Sequence, residues 1–456
     1  MLRGKPWPHR NGPEDIAIRQ AAVRLSPEWG EEDEAVLRLP GNARAHGLLG
    51  GVQECLTGQV SIPVATVGPV SVNLGRYELD ARGRVVEIGR ASEDVLIPLA
   101  HTEGGLSASM HRGALTTRAG GIRTFILSDR MTRASCFQLH DAAEALTFSR
   151  WIEDRVPDMQ AWLHDPANPL ASARTAQGVS LLSRHAKLWE LQTHVLGPFC
   201  HVLFRFTTGD ACGPNMMTRN AHALNHFFIE CRFEQETGIA IRRILLEANM
   251  GGDKKPSYQY FREGHGKSVI AETFLSARLL RRFLHCSVED VLALQEIGLH
   301  GSHASGMQSA AFTPASAIAA IFAATGQDLG MVGTSSMAHA GAEARDGGVH
   351  FWIRFPGLEV GTVGGGSILP HARAWLKVLG CAGPDSVYRF AQIIAGATLC
   401  LEVSAAASMA TGGSENFYRA HLERGGARAW SWMENAGGAA ESDTSAVPAV
   451  RKGGRP

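Results

Sequence analysis

Glu247-Ala-Asn-Met-Gly-Gly-Asp-Lys-Lys-Pro256 is the stretch on which the reading of this chain turns. Gly251 and Gly252 loosen the backbone and Pro256 stops a following helix from extending backward, so the ten residues form a loop. The loop carries an acid and two adjacent lysines. A compact ammonium held there suits a developing negative charge, and an Asp–Lys pair keeps it ionised. Taken alone, the same residues read first as a solvated surface turn. The loop also marks a boundary. From Cys136 to Leu246 the composition gains Trp and His and alternates strand and helix patterns, whereas long apolar helices follow the loop. The chain therefore reads as a large domain (1–134 and 247–424) interrupted by an inserted domain (135–246), with 425–456 a disordered Gly-, Ala- and Ser-rich tail.

The 456 residues suffice for two or three domains with real cores. A formal charge of zero with 19% charged residues argues against nucleic acid and acidic membrane surfaces as partners. Eight cysteines are scattered without a C-x-x-C pair. They read as reduced thiols of a cytoplasmic protein rather than a disulfide frame or zinc site, and no metal is expected. The N-terminus lacks the apolar segment of a signal peptide. The apolar run Ile393–Ala410 contains Glu402 and many small residues, so it reads as a buried helix and not a membrane span.

Along the chain, Pro13–Leu39 has the amphipathic pattern of one or two helices, and the β-branched stretches Ser61–Val70 and Val85–Ile88 read as strands. Leu99–Gly113 reads as a helix holding Glu103 in apolar company. Such a carboxyl has a raised pKa and suits proton donation, against the plainer reading of an acid favoured by a helix dipole. Val202–Phe206 is a strand, followed by the turn Gly209–Asn215 and a helix from about Met216. That succession presents backbone amides to a pyrophosphate, although no G-x-G-x-x-G is present. Gly264–Ser268 resembles half a P-loop, but Phe261 stands where its first glycine belongs, so nucleoside triphosphate binding is rejected. Ser287–Asp290 opens a helix with a capping box. Thr313-Pro314 starts an apolar helix that Gly326 ends, delivering Asp328 just beyond it. Leu358–Ser367 reads as a strand running into a glycine-rich turn, and Ala391–Thr411 as a small-residue helix ended by Gly412-Gly413.

Taken in order, these motifs resemble the hydroxymethylglutaryl-CoA (HMG-CoA) reductase family from about Glu54 to about His421. The resemblance rests on Glu54–Pro69, Thr102-Glu103-Gly104, Asp129–Ala134, Ser183-Arg184, Gly209–Asn215, Asp253–Pro256, Glu263–Ser268, Gly326–Asp328 and Glu359–Gly366. It implies an α+β fold: a large domain with a long central helix, interrupted by a small ferredoxin-like domain that binds NADPH. It also implies a homodimer or higher even oligomer with a shared active site. The implied reaction reduces an acyl thioester, on CoA or a carrier protein, through a hemithioacetal and an aldehyde to a primary alcohol.

By the same resemblance Lys254 stabilises the oxyanion, Glu103 donates the proton and Asp328 ties them together. Ser183 and Arg184 hold the 2′-phosphate, and Asp210, Ala211, Cys212, Gly213, Asn215, Gly364 and Gly365 surround the cofactor. Ser109, Arg112, Arg133, Glu247, Asp253, Lys255 and Ser316 belong to the substrate side. Several positions depart from the family pattern. Tyr418 stands where a histidine protonates the departing thiolate, with His421 three residues on as the other candidate. Glu247 replaces a serine that touches the substrate carboxylate, Ser316 replaces an asparagine, Pro214 replaces a methionine, and no lysine occurs between Lys267 and Lys377. An added negative and a missing positive charge point to a less acidic acyl end than that of HMG-CoA. The alternatives are a cofactor-binding homologue with impaired catalysis and a reductase that stops at the aldehyde.

Overall fold

The computed structural model describes residues 8, 10–27, 29–39, 43–176, 178–410 and 418. The amphipathic N-terminal stretch forms α1 (Pro13–Val23) and a 3₁₀ turn, Glu31–Leu37, followed by α2 (Ala43–Val52). Two long strands, β1 (Val64–Leu79) and β2 (Val85–Ala100), then pair antiparallel. Leu99 and Ala100 complete β2 opposite Ala65 and Val64, so the next helix, α3 (Leu106–Thr117), begins later than the sequence suggests. Gly105, at φ 87°, sets its start.

The strand β3 (Ile122–Gln138) is the spine of the fold. Its first half lies between β1 and β7 (Gly266–Ser276) in a sheet of order β2-β1-β3-β7-β9-β8, with β8 at His339–Arg345 and β9 at Gly348–Leu358. All pairings there are antiparallel except a short parallel contact of β1 with β3. From Met131 onward β3 pairs instead with β5 (Phe199–Thr207) and β6 (Arg243–Leu245), and β5 pairs with β4 (Lys187–Leu196). The resulting order β4-β5-β3-β6 is antiparallel throughout. Burial follows the change of partners: it alternates from Ile122 to Ile126 and is continuous from Met131 to Phe137, where both faces are covered.

Helices α4 (Ala142–Glu153) and α5 (Val156–His164) link β3 to β4. Between β5 and β6 lie α6 (Pro214–Ala223), a π-helical turn (Leu224–Ile229) and α7 (Glu230–Thr237). Their shared core is aromatic, with Phe148 against Phe137 (4.7 Å between centroids) and edge-on to Phe233 (5.0 Å). Beyond the loop come α8 (Tyr258–Glu263), α9 (Val288–Ala304), α10 (Pro314–Thr325), α11 (Pro370–Val378) and α12 (Val387–Ala410). The Ser287/Asp290 capping box opens α9, and Gly326 closes α10 at φ 66°.

The second core is built around α12, the longest described helix, which packs on α3, α10 and the large sheet. It is long and apolar enough to cross a membrane, yet most of it is buried inside the protein. Small residues let neighbours approach: a Cβ on Gly113 of α3 would run into the Cys400 carbonyl. Two of its buried polar side chains, Gln392 and Glu402, tie it to other elements. Gln392 bonds both backbone groups of Gly75 on β1 (2.8 and 2.9 Å). Glu402 accepts the Phe312 and Thr313 amides (2.8 and 2.9 Å) at the head of α10. Thr313 therefore occupies the expected N-cap position, but its hydroxyl bonds Glu402 instead of its own helix. The expected strand Leu358–Ser367 ends at Leu358, its last residue paired with β7, and continues as a loop that is buried to Thr362 and exposed at Val363, Gly364 and Gly365.

Candidate active site

The loop between β6 and α8 is pinned at both ends, by the Ala248 amide to the Ala134 carbonyl (2.8 Å) and by Ser257 capping α8 (3.1 Å). Lys254 sits on it at φ 55°, a left-handed conformation that costs a lysine about 1–3 kcal/mol. Its Nζ is 2.7 Å from Asp328 Oδ2. Asp328 is held in turn by the Gly330 amide, which donates to Oδ1 (2.9 Å), just beyond the glycine that closes α10. The hydrogen bond to Asp328 holds the Lys254 pKa above its ordinary value, so the ammonium stays charged through neutral pH.

Lys254 and Asp328 line a cleft of about 1110 Å³. The opposite wall is the head of α6, where Gly213 (φ 96°) stands at the N-cap without a capping side chain and Pro214 opens the helix. Gly364 and Gly365, at φ 75° and 52°, have open space where side chains would be and line the same cleft. The two turns are sewn together, since Ala211 bridges Val363 and a Cβ on Gly361 would meet the Cys212 amide. The Asn215 amide and the helix dipole favour an anion, since Pro214 has no N–H and the Met216 amide is taken by the Gly213 carbonyl (3.0 Å), and Arg219 lines the cleft nearby. This wall fits the pyrophosphate of a dinucleotide.

Behind the loop the charges are paired and largely dry. Arg133 Nη1 lies 2.6 Å from Glu247 Oε2 and Nη2 lies 3.4 Å from Asp253 Oδ2. Lys267 and Asp129, opposed across β7 and β3, are buried 3.5 Å apart, and the Tyr388 hydroxyl donates to Asp129 (3.1 Å). Burial pushes the Asp129 carboxyl up. His265 and Glu359 meet beneath Asp253, with Nε2 3.5 Å from Oε2. Burial lowers the imidazole to about 4 and raises the Glu359 carboxyl to about 8.

The structure gathers Arg133, Asp253, Lys254 and Asp328 with Ala211, Cys212, Gly213, Asn215, Gly364 and Gly365 around one cleft. Glu247 sits against Arg133, and Lys255 is exposed beside it with its Nζ on the Asp253 carbonyl (3.1 Å). Two expectations need correction. Glu103 is exposed on the turn before α3, without a hydrogen bond or ion pair among the described residues, because apolar sequence neighbours do not bury a residue at a sheet edge. Asp210 does not line the cleft; its carboxylate accepts the amides of Asp385, Ser386 and Val387 (2.6, 2.9 and 2.9 Å) at the head of α12.

Other expected residues stand apart from the cleft wall. Ser109 and Arg112 bond Ser404 (both 2.9 Å) and so hold α3 to α12. Ser316 is half-buried in the first turn of α10. Arg184 is exposed, whereas Ser183 is buried with its Oγ accepting the His185 and Ala186 amides (3.3 and 3.4 Å). Tyr418 is exposed in a unit of its own (412–456), and His421 lies outside the described residues. Sequence reasoning missed Arg219, Gln327 and the His265–Glu359 pair. Gln327 was discoverable as the neighbour of Asp328; it accepts the Gly361 amide (2.9 Å) and so ties the two cleft loops together.

Comparison with known proteins adds an independent finding. The family described as hydroxymethylglutaryl-coenzyme A reductase matches residues 15–425. The chain is 35% identical over 430 residues to 3-hydroxy-3-methylglutaryl-coenzyme A reductase of Aeropyrum pernix, covering 88% of this chain and 93% of that relative. It is 31% identical over 376 residues to the enzyme of the same name from Methanocaldococcus jannaschii, covering 82% and 84%. Among solved structures, class II 3-hydroxy-3-methylglutaryl-CoA reductase from Streptococcus pneumoniae bound to NADPH superposes with a TM-score of 0.57 at 15% identity, covering 87% and 97%. That last likeness is one of fold.

Proposed function

The chain belongs to the hydroxymethylglutaryl-coenzyme A reductase family, and on that premise we propose that it reduces an acyl-CoA thioester with NADPH, HMG-CoA being the first substrate to test. The observation that carries this reading is the Lys254–Asp328 pair, 2.7 Å apart, on the same cleft as the uncapped head of α6. NADPH supplies hydride when bound. The Gly213–Asn215 turn, on a ferredoxin-like domain of residues 135–246, and the Gly364-Gly365 loop of the large domain would hold its phosphates, with Arg219 on the cleft and the exposed Arg184 as cations for the remaining charge.

Hydride addition turns the thioester carbonyl into an alkoxide. Lys254 steadies that oxygen, and Asp328 keeps the ammonium charged and aimed. Collapse of the hemithioacetal would release CoA thiolate for His421 or Tyr418 to protonate, and hydride from a second NADPH, taken up after the spent NADP+ leaves, would convert the aldehyde to an alkoxide that a proton completes as the alcohol. A phenol of pKa about 10 is a poorer acid than imidazolium for a thiol near 8.5, which favours His421. Glu103, exposed on its turn, is available to deliver the alcohol proton across the interface of a dimer or higher even oligomer. The reading places the enzyme in the cytoplasm.

One observation favours a second reading of the substrate. Glu247 occupies Arg133 at 2.6 Å, and Arg133 also faces Asp253, so the guanidinium is already neutralised. A thioester with an uncharged acyl end, on CoA or a carrier protein, suits that pocket better than one with a free carboxylate. Purified protein with NADPH and HMG-CoA, followed by loss of NADPH absorbance and by mevalonate formation, separates the two. Robust mevalonate formation overturns the altered-substrate reading. Absence of turnover on every acyl thioester, with NADPH still bound, overturns the reductase.

A further inference from the structure

We propose that His265 and Glu359 are positioning residues that hold one proton between them beneath the Asp253–Lys254 loop, and that the loop keeps its reactive geometry only while that proton is present. The catalytic half of this inference rests on the reductase reading; the proton itself does not. The side chains of both residues are essentially buried, at 1% and 0% exposure. Neither Glu359 oxygen has a well-formed hydrogen bond, and the same holds for His265 Nε2 and Asp253 Oδ1; the Tyr260 and Thr334 hydroxyls are the donors that approach the carboxylate, and they do not offset its burial. Ligand atoms of the three side chains lie within 4.8 Å of one another. A dry carboxylate served only by two neutral hydroxyls is expensive, so something positive must sit among these atoms.

The nearby cations are already committed. Arg133 serves Glu247 and Asp253, Lys267 serves Asp129, and Lys254 serves Asp328. Tyr260 on α8 and Cys212 before α6 complete the titratable groups around Glu359, and burial pushes both of them up, out of the neutral range. A divalent cation is opposed by Arg133 and Lys267, which act on the same imidazole. A proton on Glu359 meets no such opposition and makes the carboxyl a donor to Nε2. The opposite shifts of the two groups, about 8 for Glu359 and about 4 for His265, leave the pair with one proton across neutral pH.

The pair is coupled to the loop through specific contacts. With Nε2 as acceptor, His265 Nδ1–H donates to Thr132 Oγ1 (2.6 Å), and that hydroxyl donates to the Gly251 carbonyl. Loss of the proton sets a second carboxylate against Asp253, next to Lys254. Because the folded-state pKa of Glu359 is raised, the benefit is present at low pH and is lost as pH rises through about 8.

The test uses the full-length protein. Wild-type kcat is expected to fall by about tenfold per pH unit above a midpoint near 8, whereas Glu359→Gln, which mimics the protonated carboxyl, loses that fall and keeps kcat within about threefold at pH 7. Infrared titration of the resting protein reads the proton without turnover. A buried protonated-carboxyl band should disappear with a midpoint near 8 and be missing from Glu359→Gln. If that variant does not fold, His265→Gln, whose amide donates to an ionised Glu359, should lower the midpoint by about one unit or more. An unchanged alkaline limb in Glu359→Gln overturns the proposal, as does absence of the band at pH 6. So does loss of activity on chelation that zinc or manganese restores. If the band titrates but no thioester is reduced, the reductase reading fails and the proton pair stands.

Discussion

Replacing Lys254 by asparagine separates the chemistry of the loop from its stability. Asparagine tolerates the left-handed backbone that Lys254 adopts at φ 55°, so the loop need not refold. The lost contact with Asp328 spans 2.7 Å, but both side chains are 46% exposed, and solvent screening leaves such a pair worth about 0–1 kcal/mol. Asp328 is left solvated rather than stranded, so no burial penalty is added. An ammonium poised on a developing oxyanion is worth far more to the barrier, about 3–4 kcal/mol, or roughly 10²–10³ in kcat. Urea unfolding should therefore move by less than about 1 kcal/mol. Single-turnover oxidation of NADPH at saturating thioester should slow by at least about a hundredfold. A rate within about tenfold of wild type would falsify the oxyanion role. A stability loss above about 3 kcal/mol, with activity per folded molecule retained, would instead make the pair structural.

Four other outcomes test separate parts of the structure. Gly113→Ala pushes a Cβ into the Cys400 backbone and should destabilise by about 1–3 kcal/mol or more in urea; an unchanged midpoint refutes the close packing of α3 on α12. Asp210→Ala removes the acceptor of three amides at the head of α12 and should lower stability by about 1–2 kcal/mol while leaving NADPH affinity, read by fluorescence, unchanged. Glu359→Gln should gain on wild type by roughly 2–3 kcal/mol between pH 6 and 8, because the raised carboxyl pKa makes wild type lose stability as pH rises in that window; equal pH dependence in urea melts refutes it. Glu247→Ser frees Arg133 for a substrate carboxylate and should lower KM for HMG-CoA by about tenfold, and a raised KM refutes the masking.

Much of the fold and half of the site are legible in the sequence because they depend on neighbours along the chain. The starts of α9 and α10 and the end of α10 follow from Ser287, Asp290, Pro314 and Gly326 acting on amides within a turn of themselves. Asp328 reaches Lys254 because a glycine cap fixes where the chain leaves α10, and the turn before α6 follows from Gly209 and Gly213. Family membership is legible from the order of the motifs, which survives even where single positions change.

What the tertiary structure alone decides is which groups are dried and which distant groups meet. Glu103 has apolar neighbours in sequence and water in space. Asp210 sits in a glycine-bounded turn that reads as a phosphate cradle in the sequence, yet it caps a helix that begins far along the chain. His265 and Glu359 meet because β3 exchanges partners midway, placing β7 and the loop after β9 behind the Lys254 loop. Burial changes a pKa through the solvent a group loses, and that depends on every element packed around it rather than on adjacent residues. The sequence by itself therefore determined the ammonium, its carboxylate partner and the class of chemistry; the packing decided how the charges beneath them are balanced.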